Sequence, residues 1–391
     1  MITDYFSLYS GLRITANYLD INEFEMEKEI NMKPICIAYY LGQYHPLEEN
    51  NLYWGDGFTE WHNVSKARPL FPGHIQPQLP GALGFYDLRC EETLLSQMDY
   101  AKEIGVDAFC YWHYWFGGKR VLHEPLDKII SLPDRGVKVM LGWANESWTG
   151  IWHGLSDQVI FKQTYDNEEL DAHAKLIAGY LNSDKYLRVG HLSPFLIYKP
   201  RLIPDAKKYL TELREKVRTY GGGDLYIIGS WGPGKSERIN NPSEYGLDAV
   251  VANNVGKFFK SSISSNAYLG LWKLAKKCGL GPEVRNYKST IDTLISSYKE
   301  INGVVHATIV AGWDNTPRSG RRGLVLKGYN ETSFREAITT AVQYENKNSR
   351  KILFIKSWNE WAEGNTIEPK FHENWSAGQV LQTELKDKYE Q

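Results

Sequence analysis

The sequence is poor in cysteine, with 4 in 391 residues. Cys36, Cys90, Cys110 and Cys278 have neither the spacing of a metal site nor that of a disulfide framework. Cys36 and Cys110 lie inside apolar runs, where a free thiol acts as a small hydrophobe. Charge of one sign is not in excess either. Lys+Arg 45 against Asp+Glu 47 leaves a formal net charge of −2, which argues against nucleic acid or an anionic membrane as a general partner. No apolar run is long enough for a membrane span. Residues Met1 to Ser7 lack a basic stretch followed by an apolar one, so the sequence predicts no signal peptide. The expected compartment is the cytoplasm, or the periplasm if a leader has been removed. Internal repeats and low-complexity stretches are absent, and oligomeric state leaves no mark.

What the chain does have is short apolar runs and aromatics. Eight runs recur: Pro34–Tyr40, Val106–Trp112, Val137–Trp143, Phe195–Tyr198, Leu225–Ser230, Ala249–Asn253, Val304–Trp313 and Lys351–Trp358. They are mostly apolar on both faces, as parallel strands buried on two sides must be. Helical patterns lie between most of them, at Glu91–Glu103, Glu168–Leu181, Ala206–Thr219, Leu269–Lys277, Ser289–Glu300 and Ser333–Tyr344. The last opens with Ser333 and Glu336 at capping-box spacing. Strands alternating with helices over this length predict an α/β fold, a single (β/α)8 TIM barrel with long βα loops. The expected organisation is an N-terminal extension over 1–33, the barrel over 34–372 and a helical tail over 373–391.

In such barrels the chemistry sits at the C-terminal strand ends. Those ends carry Tyr40, Trp112 with His113, Trp143 with Asn145 and Glu146, Tyr198, Trp231, Trp313 with Asp314, and Trp358 with Asn359. The loop after the first strand adds Glu60 and Trp61. By this placement 11 of the 13 Trp fall on one rim, where core packing would scatter them. Aromatic faces stack on sugar C–H faces, and carboxylates and Asn bond hydroxyls, so the partner read from this rim is a carbohydrate. For His113 a hydrogen-bonded structural imidazole competes with a ligand role. For Glu146 a first-turn acid of a helix competes with a substrate contact.

The eighth run ends in Trp358-Asn359-Glu360-Trp361-Ala362-Glu363-Gly364. If the chain turns helically there, Glu360 and Glu363 share a face. Two such carboxylates cannot ionise independently, which makes an acid and a base available from one residue type. Two other features carry less. Gly229 to Ser236 has phosphate-loop spacing, but Glu237 to Pro242 makes a poor helix to face a phosphate. Arg318, Arg321, Arg322 and Lys327 follow the seventh run and read most simply as a solvated basic loop, with an acidic sugar or phosphate as the other reading.

Together the Trp358–Gly364 motif, Trp313-Asp314-Asn315-Thr316-Pro317 and the Gly57–Trp61 stretch resemble the WbsX group. That group is similar to glycoside hydrolase family 99, the endo-acting α-mannosidases. The resemblance covers most of the chain, from Pro34 to Phe371. It implies the barrel, no cofactor, and metal-independent retaining cleavage of α-linked manno-configured sugars, of mannose or rhamnose type, in a polysaccharide. It also implies roles: Glu360 as the base that deprotonates the substrate 2-hydroxyl, Glu363 as the acid on the leaving oxygen. Tyr40, Trp112, Glu146 and Tyr198 fall near positions where the family holds its sugar. The rival expectation is a glycosyltransferase of O-antigen or capsule assembly. Against it, the sequence has no Asp-x-Asp motif and no dinucleotide-type glycine fingerprint.

Overall fold

A computed structural model describes residues 32–150, 155–255, 258, 280–371 and 373–389. Residues 1–31 of the expected N-terminal extension, the helix over 269–277, Trp152 and Cys278 lie outside the described residues. Nine strand segments form the main sheet: β1 (Ile35–Tyr40), β2 (Ala108–Phe116), β3 (Lys138–Trp143), β4 (Leu192–Ile197), β5 (Asp224–Trp231), β6 (Ala249–Ala252), β7 (Val304–His306), β8 (Thr308–Val310) and β9 (Ile352–Lys356). Their spatial order is β7-β6-β5-β4-β3-β2-β1-β9-β8, with every neighbouring pair parallel. The two end segments are halves of the seventh run, split at Ala307. The sheet therefore all but closes on itself, and the expected eight-stranded barrel is the observed architecture.

The strand interiors are buried on both faces, with Cys36 to Tyr40 and Ile352 to Ile355 showing no exposed surface. Each such aliphatic side chain contributes about 1.5–3 kcal/mol by leaving water. That burial explains why the runs read as continuous apolar segments.

The helices are α1 (Glu48–Trp54), α2 (Trp61–Ser65), α3 (Glu91–Glu103), α4 (Glu124–Ser131), α5 (Asn167–Leu181), α6 (Ala206–Thr219), α7 (Tyr287–Ser297), α8 (Thr316–Ser319), α9 (Glu331–Glu345) and α10 (Ala377–Leu381). Asp166 caps α5 by accepting from Glu169 N at 2.9 Å. The capping box of α9 differs from the expected one. Asn330 accepts from Ser333 N and Ser333 Oγ accepts from Asn330 N, both at 3.0 Å. Asn330 is the better cap because its short side chain reaches the backbone N–H three residues on, so the helix starts two residues before Ser333.

Three long loops shape the C-terminal mouth. Residues 41–90, between β1 and α3, carry α1 and α2. Beyond β3, Trp148–Gly150 pairs antiparallel with Leu155–Phe161. The loop after β8 carries α8 and returns as Leu324–Lys327. No helix among the described residues is long and apolar enough to cross a membrane.

Candidate active site

The segment after β9 is held rigidly before any chemistry is considered. Trp358 N donates to Tyr39 O at 2.8 Å. The Asn359 amide clamps the backbone of Leu41, accepting from its N–H at 2.8 Å and donating to its carbonyl at 3.0 Å. Asn359–Glu360 then pairs antiparallel with Asn365–Thr366. Between the two strands, Trp361–Glu363 makes a single 3-10 turn with Glu360 as its N-cap. In a 3-10 turn residues three apart eclipse, which brings Glu360 and Glu363 to one side. Gly364 reverses the chain at φ 59°, where a Cβ would lie 2.8 Å from Asp314 Cβ.

A buried acid supports the turn from behind. Glu368 accepts from Trp361 Nε1 at 2.6 Å, Gln97 Nε2 at 2.6 Å and Tyr86 Oη at 2.8 Å. Burial pushes its carboxyl up to about 7 even against these donors.

The carboxylate cluster at the mouth is organised by Arg318. It lies in α8, and its guanidinium donates to Glu60 Oε2 through Nε at 3.1 Å, to Glu363 Oε1 through Nη1 at 2.7 Å and to Glu360 Oε2 through Nη2 at 3.0 Å. Three carboxylates from two distant loops thus converge on one fork of donors. Burial and then the nearby Glu363 push the Glu360 carboxyl up to about 7, with Arg318 and Lys356 opposing. Asp314 fixes the start of α8. Its Oδ1 accepts from Thr316 N at 3.0 Å and Thr316 Oγ1 at 2.6 Å. Its Oδ2 takes Gln76 Nε2 and His74 Nε2, each at 2.7 Å. His74 Nδ1 accepts from Leu70 N at 3.0 Å, which assigns the ring proton to Nε2. The expectation of a solvated basic loop is therefore corrected for Arg318, whose side chain is 17% exposed. No local pattern marks this role, because its three partners lie 42, 45 and 258 residues away.

The carboxylates open into a cavity of about 850 Å³, at the upper end of the range for small-molecule sites. Trp112 and Tyr198 line it, packed edge to face at 5.4 Å. Tyr39 stacks beneath Trp112 at 5.3 Å and 8°. One wall carries Trp54 and Phe58, stacked at 4.9 Å. The other carries Glu146 and Trp148. Burial raises the Glu146 carboxyl, with Lys199 opposing. Of the residues singled out from sequence, Glu60, Trp112, Glu146, Tyr198, Glu360 and Glu363 meet in this cavity.

The remaining candidates pack around it instead. Tyr40 points to the helix layer and donates to Gln97 Oε1 at 2.6 Å. His113 faces His173 of α5 at 3.0 Å, and burial pushes it down to about 3, so it is neutral there. Trp143 packs on His173 and Tyr209, Trp231 on Phe258 and Tyr298, and Trp358 on Phe109 and Tyr100. Trp61 donates to Tyr86 O at 2.8 Å. Asn145 staples the strand ends, accepting from Lys199 N at 2.7 Å and donating to Lys199 O at 2.9 Å. Trp313 lies under the Lys356 ammonium, 5.3 Å from its ring centroid. Asp314 and Asn359 hold backbone, as described. The reason is alternation: successive strand residues face opposite sides, so of two adjacent aromatics one enters the barrel and one enters the helix layer.

The glycine-rich segment after β5 does not build a phosphate cradle. Gly232 N donates to Glu237 O at 3.2 Å, and the next helical piece is the four-residue Pro242–Tyr245. Among the described residues, no three His, Cys, Asp or Glu side chains are grouped to hold a metal ion.

Residues 36–377 match the family described as Glycosyltransferase WbsX. Two proteins of Xanthomonas campestris pv. campestris, each described as uncharacterized protein WxcX, are similar to this chain. One is 34% identical over 351 residues and the other 33% over 345. Each alignment covers 85% of this chain and 47% of the relative, so the chain spans about half the length of the curated relatives it matches. Among solved structures, a glycoside hydrolase-like protein superimposes with a TM-score of 0.57 at 16% identity, covering 92% of this chain and 95% of that one. The GH99 endo-alpha-mannosidase from Bacteroides thetaiotaomicron does so with a TM-score of 0.53 at 17% identity, covering 90% and 95%. At such identities the likeness is one of fold. Motif, barrel and alignment over nearly the whole length agree: the chain belongs to the WbsX family and is built on the barrel seen in glycoside hydrolase family 99.

Proposed function

We propose that this barrel is a retaining, metal-independent, endo-acting glycoside hydrolase that cleaves α-linked manno-configured sugars, of mannose or rhamnose type, within a polysaccharide. The observation that carries the reading is the Arg318 cluster. Glu360 and Glu363 sit on one guanidinium at the base of an aromatic-lined cavity, and Glu360 is brought to about 7. A base works best when its pKa is near the working pH. In the first step Glu360 takes the proton of the axial 2-hydroxyl, and that oxygen attacks the anomeric carbon. Glu363 gives its proton to the departing glycosidic oxygen. The product is a three-membered 1,2-anhydro ring plus the released sugar. In the second step Glu363 takes a proton from water, whose oxygen opens the ring at the anomeric carbon. Glu360 returns its proton to O2, and two inversions leave net retention. Arg318 supports both steps by holding the carboxylates in place and by balancing whichever is ionised. Trp112 and Tyr198 supply stacking surface for the ring.

The family description favours a second reading, transfer from an activated sugar to a growing O-antigen or capsule chain. One experiment separates the two. The protein and its Glu363→Gln variant are incubated with α-mannans, rhamnose-rich O-antigens and capsular polysaccharides without nucleotide sugar, and products are followed by reducing-end assay and mass spectrometry. New oligosaccharides from the parent alone support hydrolysis. Elongated products that appear only once nucleotide sugars are added would replace hydrolysis with transfer.

A further inference from the structure

Lys356 is the last residue of β9, and its side chain enters the cavity from the barrel interior. The side chain is 7% exposed. Its Nζ lies between two aromatic faces, 5.8 Å from the Tyr39 centroid and 5.3 Å from that of Trp313. The nearest carboxylate oxygen is Glu363 Oε2 at 3.8 Å, beyond hydrogen-bond length. Among the described residues the ammonium finds no hydrogen-bond acceptor. Arg318 differs in this respect, since its donors are committed to Glu60, Glu360 and Glu363. Among the described residues, Lys356 is thus the cation at the base of the cavity with donors to spare. It has three, and it cannot accept. A charged group this buried is stable only when its donors are met, so the site is built to be completed by oxygen atoms of a ligand.

Charge decides which oxygen atoms. Among the described residues, the base of the cavity holds two cations, Arg318 and Lys356, and three carboxyl groups, Glu60, Glu360 and Glu363. With one proton held by the Glu360–Glu363 pair, as the proposed first step requires, these charges balance, so a carboxylate or phosphate on the sugar would gain Lys356 but add an unbalanced negative charge beside the ionised carboxylates. A hydroxyl gains the same charge-assisted bond and meets no repulsion. We propose that Lys356 is a specificity-determining residue which donates to ring hydroxyls of an uncharged sugar in the catalytic subsite and disfavours uronic or phosphorylated sugars there. The inference rests on the reading of this cavity as a sugar site and adds the charge class of the sugar.

The test is a titration of the intact protein with methyl α-mannopyranoside, methyl α-rhamnopyranoside and the uronic acid analogue of the first, followed by ligand-observed NMR. The parent should bind the two neutral glycosides and bind the uronate at least tenfold more weakly. Lys356→Met should weaken the neutral ligands by roughly 10- to 100-fold, the loss expected for a hydrogen bond from a charged donor. Lys356→Arg should recover part of that loss. A parent that prefers the uronate, with the preference gone in Lys356→Met, would overturn the proposal in favour of anion recognition. Equal binding of the neutral glycosides by parent and Lys356→Met would remove Lys356 from the sugar contacts. Failure of the parent to bind any of the three would defeat the sugar-site reading itself, and with it this proposal. The comparison of ligands on the parent stands even if Lys356→Met does not fold.

Discussion

Replacing Glu360 by Gln should make the protein more stable, and only above a definite pH. Burial and the neighbouring Glu363 raise this carboxyl from an ordinary 4.5 to about 7. Below pH 4.5 the group is protonated in the folded and the unfolded chain, so it costs nothing. As pH rises towards 7 the unfolded chain releases the proton while the folded one retains it. Folding stability falls across that window. Above 7 both forms are ionised, and the folded one carries the full cost. A displacement of about 2.5 pH units at 1.36 kcal/mol per unit is about 3 kcal/mol. Gln cannot ionise and can still present its carbonyl oxygen to Arg318. Its advantage over the parent should therefore open from near zero below pH 4.5 to about 3 kcal/mol by pH 8. For a chain of this size that is a rise of several degrees in midpoint. The assay is thermal unfolding of parent and Glu360→Gln side by side from pH 4 to 8.5, read as the difference. Glu368 also sits at about 7, but it is common to both proteins and cancels. A constant offset between them would reflect packing alone. A difference that stays flat with pH, or narrows as pH rises, would refute the assignment of a desolvated, proton-holding carboxyl to Glu360.

Arg318→Met should remove the counter-charge from three carboxylates at once and destabilise by about 3–5 kcal/mol at neutral pH, with a smaller loss at pH 4, where the acids protonate. Calorimetry at the two pH values checks this, and a variant as stable as the parent at pH 7.5 would contradict it. Glu363→Gln should lose far more rate on glycosides with poor leaving groups than on activated aryl glycosides. Equal losses on both would remove Glu363 from the acid role. Glu368→Gln turns an amide N–H towards one of three donors, which should loosen Trp361 and its 3-10 turn. We expect kcat to fall about 10- to 100-fold, the equivalent of one unmet buried hydrogen bond, with KM nearly unchanged. A loss confined to KM would show that this support does not act on the catalytic turn.

The barrel was legible in sequence because its signal is local. Runs such as Ile352–Lys356 must be apolar on both faces, and helices such as Glu91–Glu103 and Ala206–Thr219 carry their own period, so their bounds could be read residue by residue. The acid pair was legible for the same reason, since three residues and one turn set their relation. The direction of individual side chains was less so. Tyr39 and Tyr40 are adjacent, and only the pairing of β1 with β2 and β9 turns the first towards Trp112 and the second towards Gln97. A shift of one residue would exchange them. Strand ends show which residues lie near the mouth, but not which enter it.

Arg318 marks the harder limit, and it bears on how the two acids divide their work. The pair alone makes one carboxyl rise and the other fall, without saying which. The outcome depends on what faces each. Glu360 is buried beneath the turn and shares Arg318 with Glu60 and Glu363, whereas Glu363 is more exposed, at 19% against 8%, and has Lys356 on its other side. Desolvation therefore falls mainly on Glu360. That carboxyl binds its proton more strongly than an ordinary one, which suits a group that must take a proton from a hydroxyl. Arg318 and Lys356 both face Glu363 and favour its ionised form. Which of the two acids holds a shared proton is thus set by the neighbours that three distant loops bring to each, and a two-residue motif could supply only the candidates.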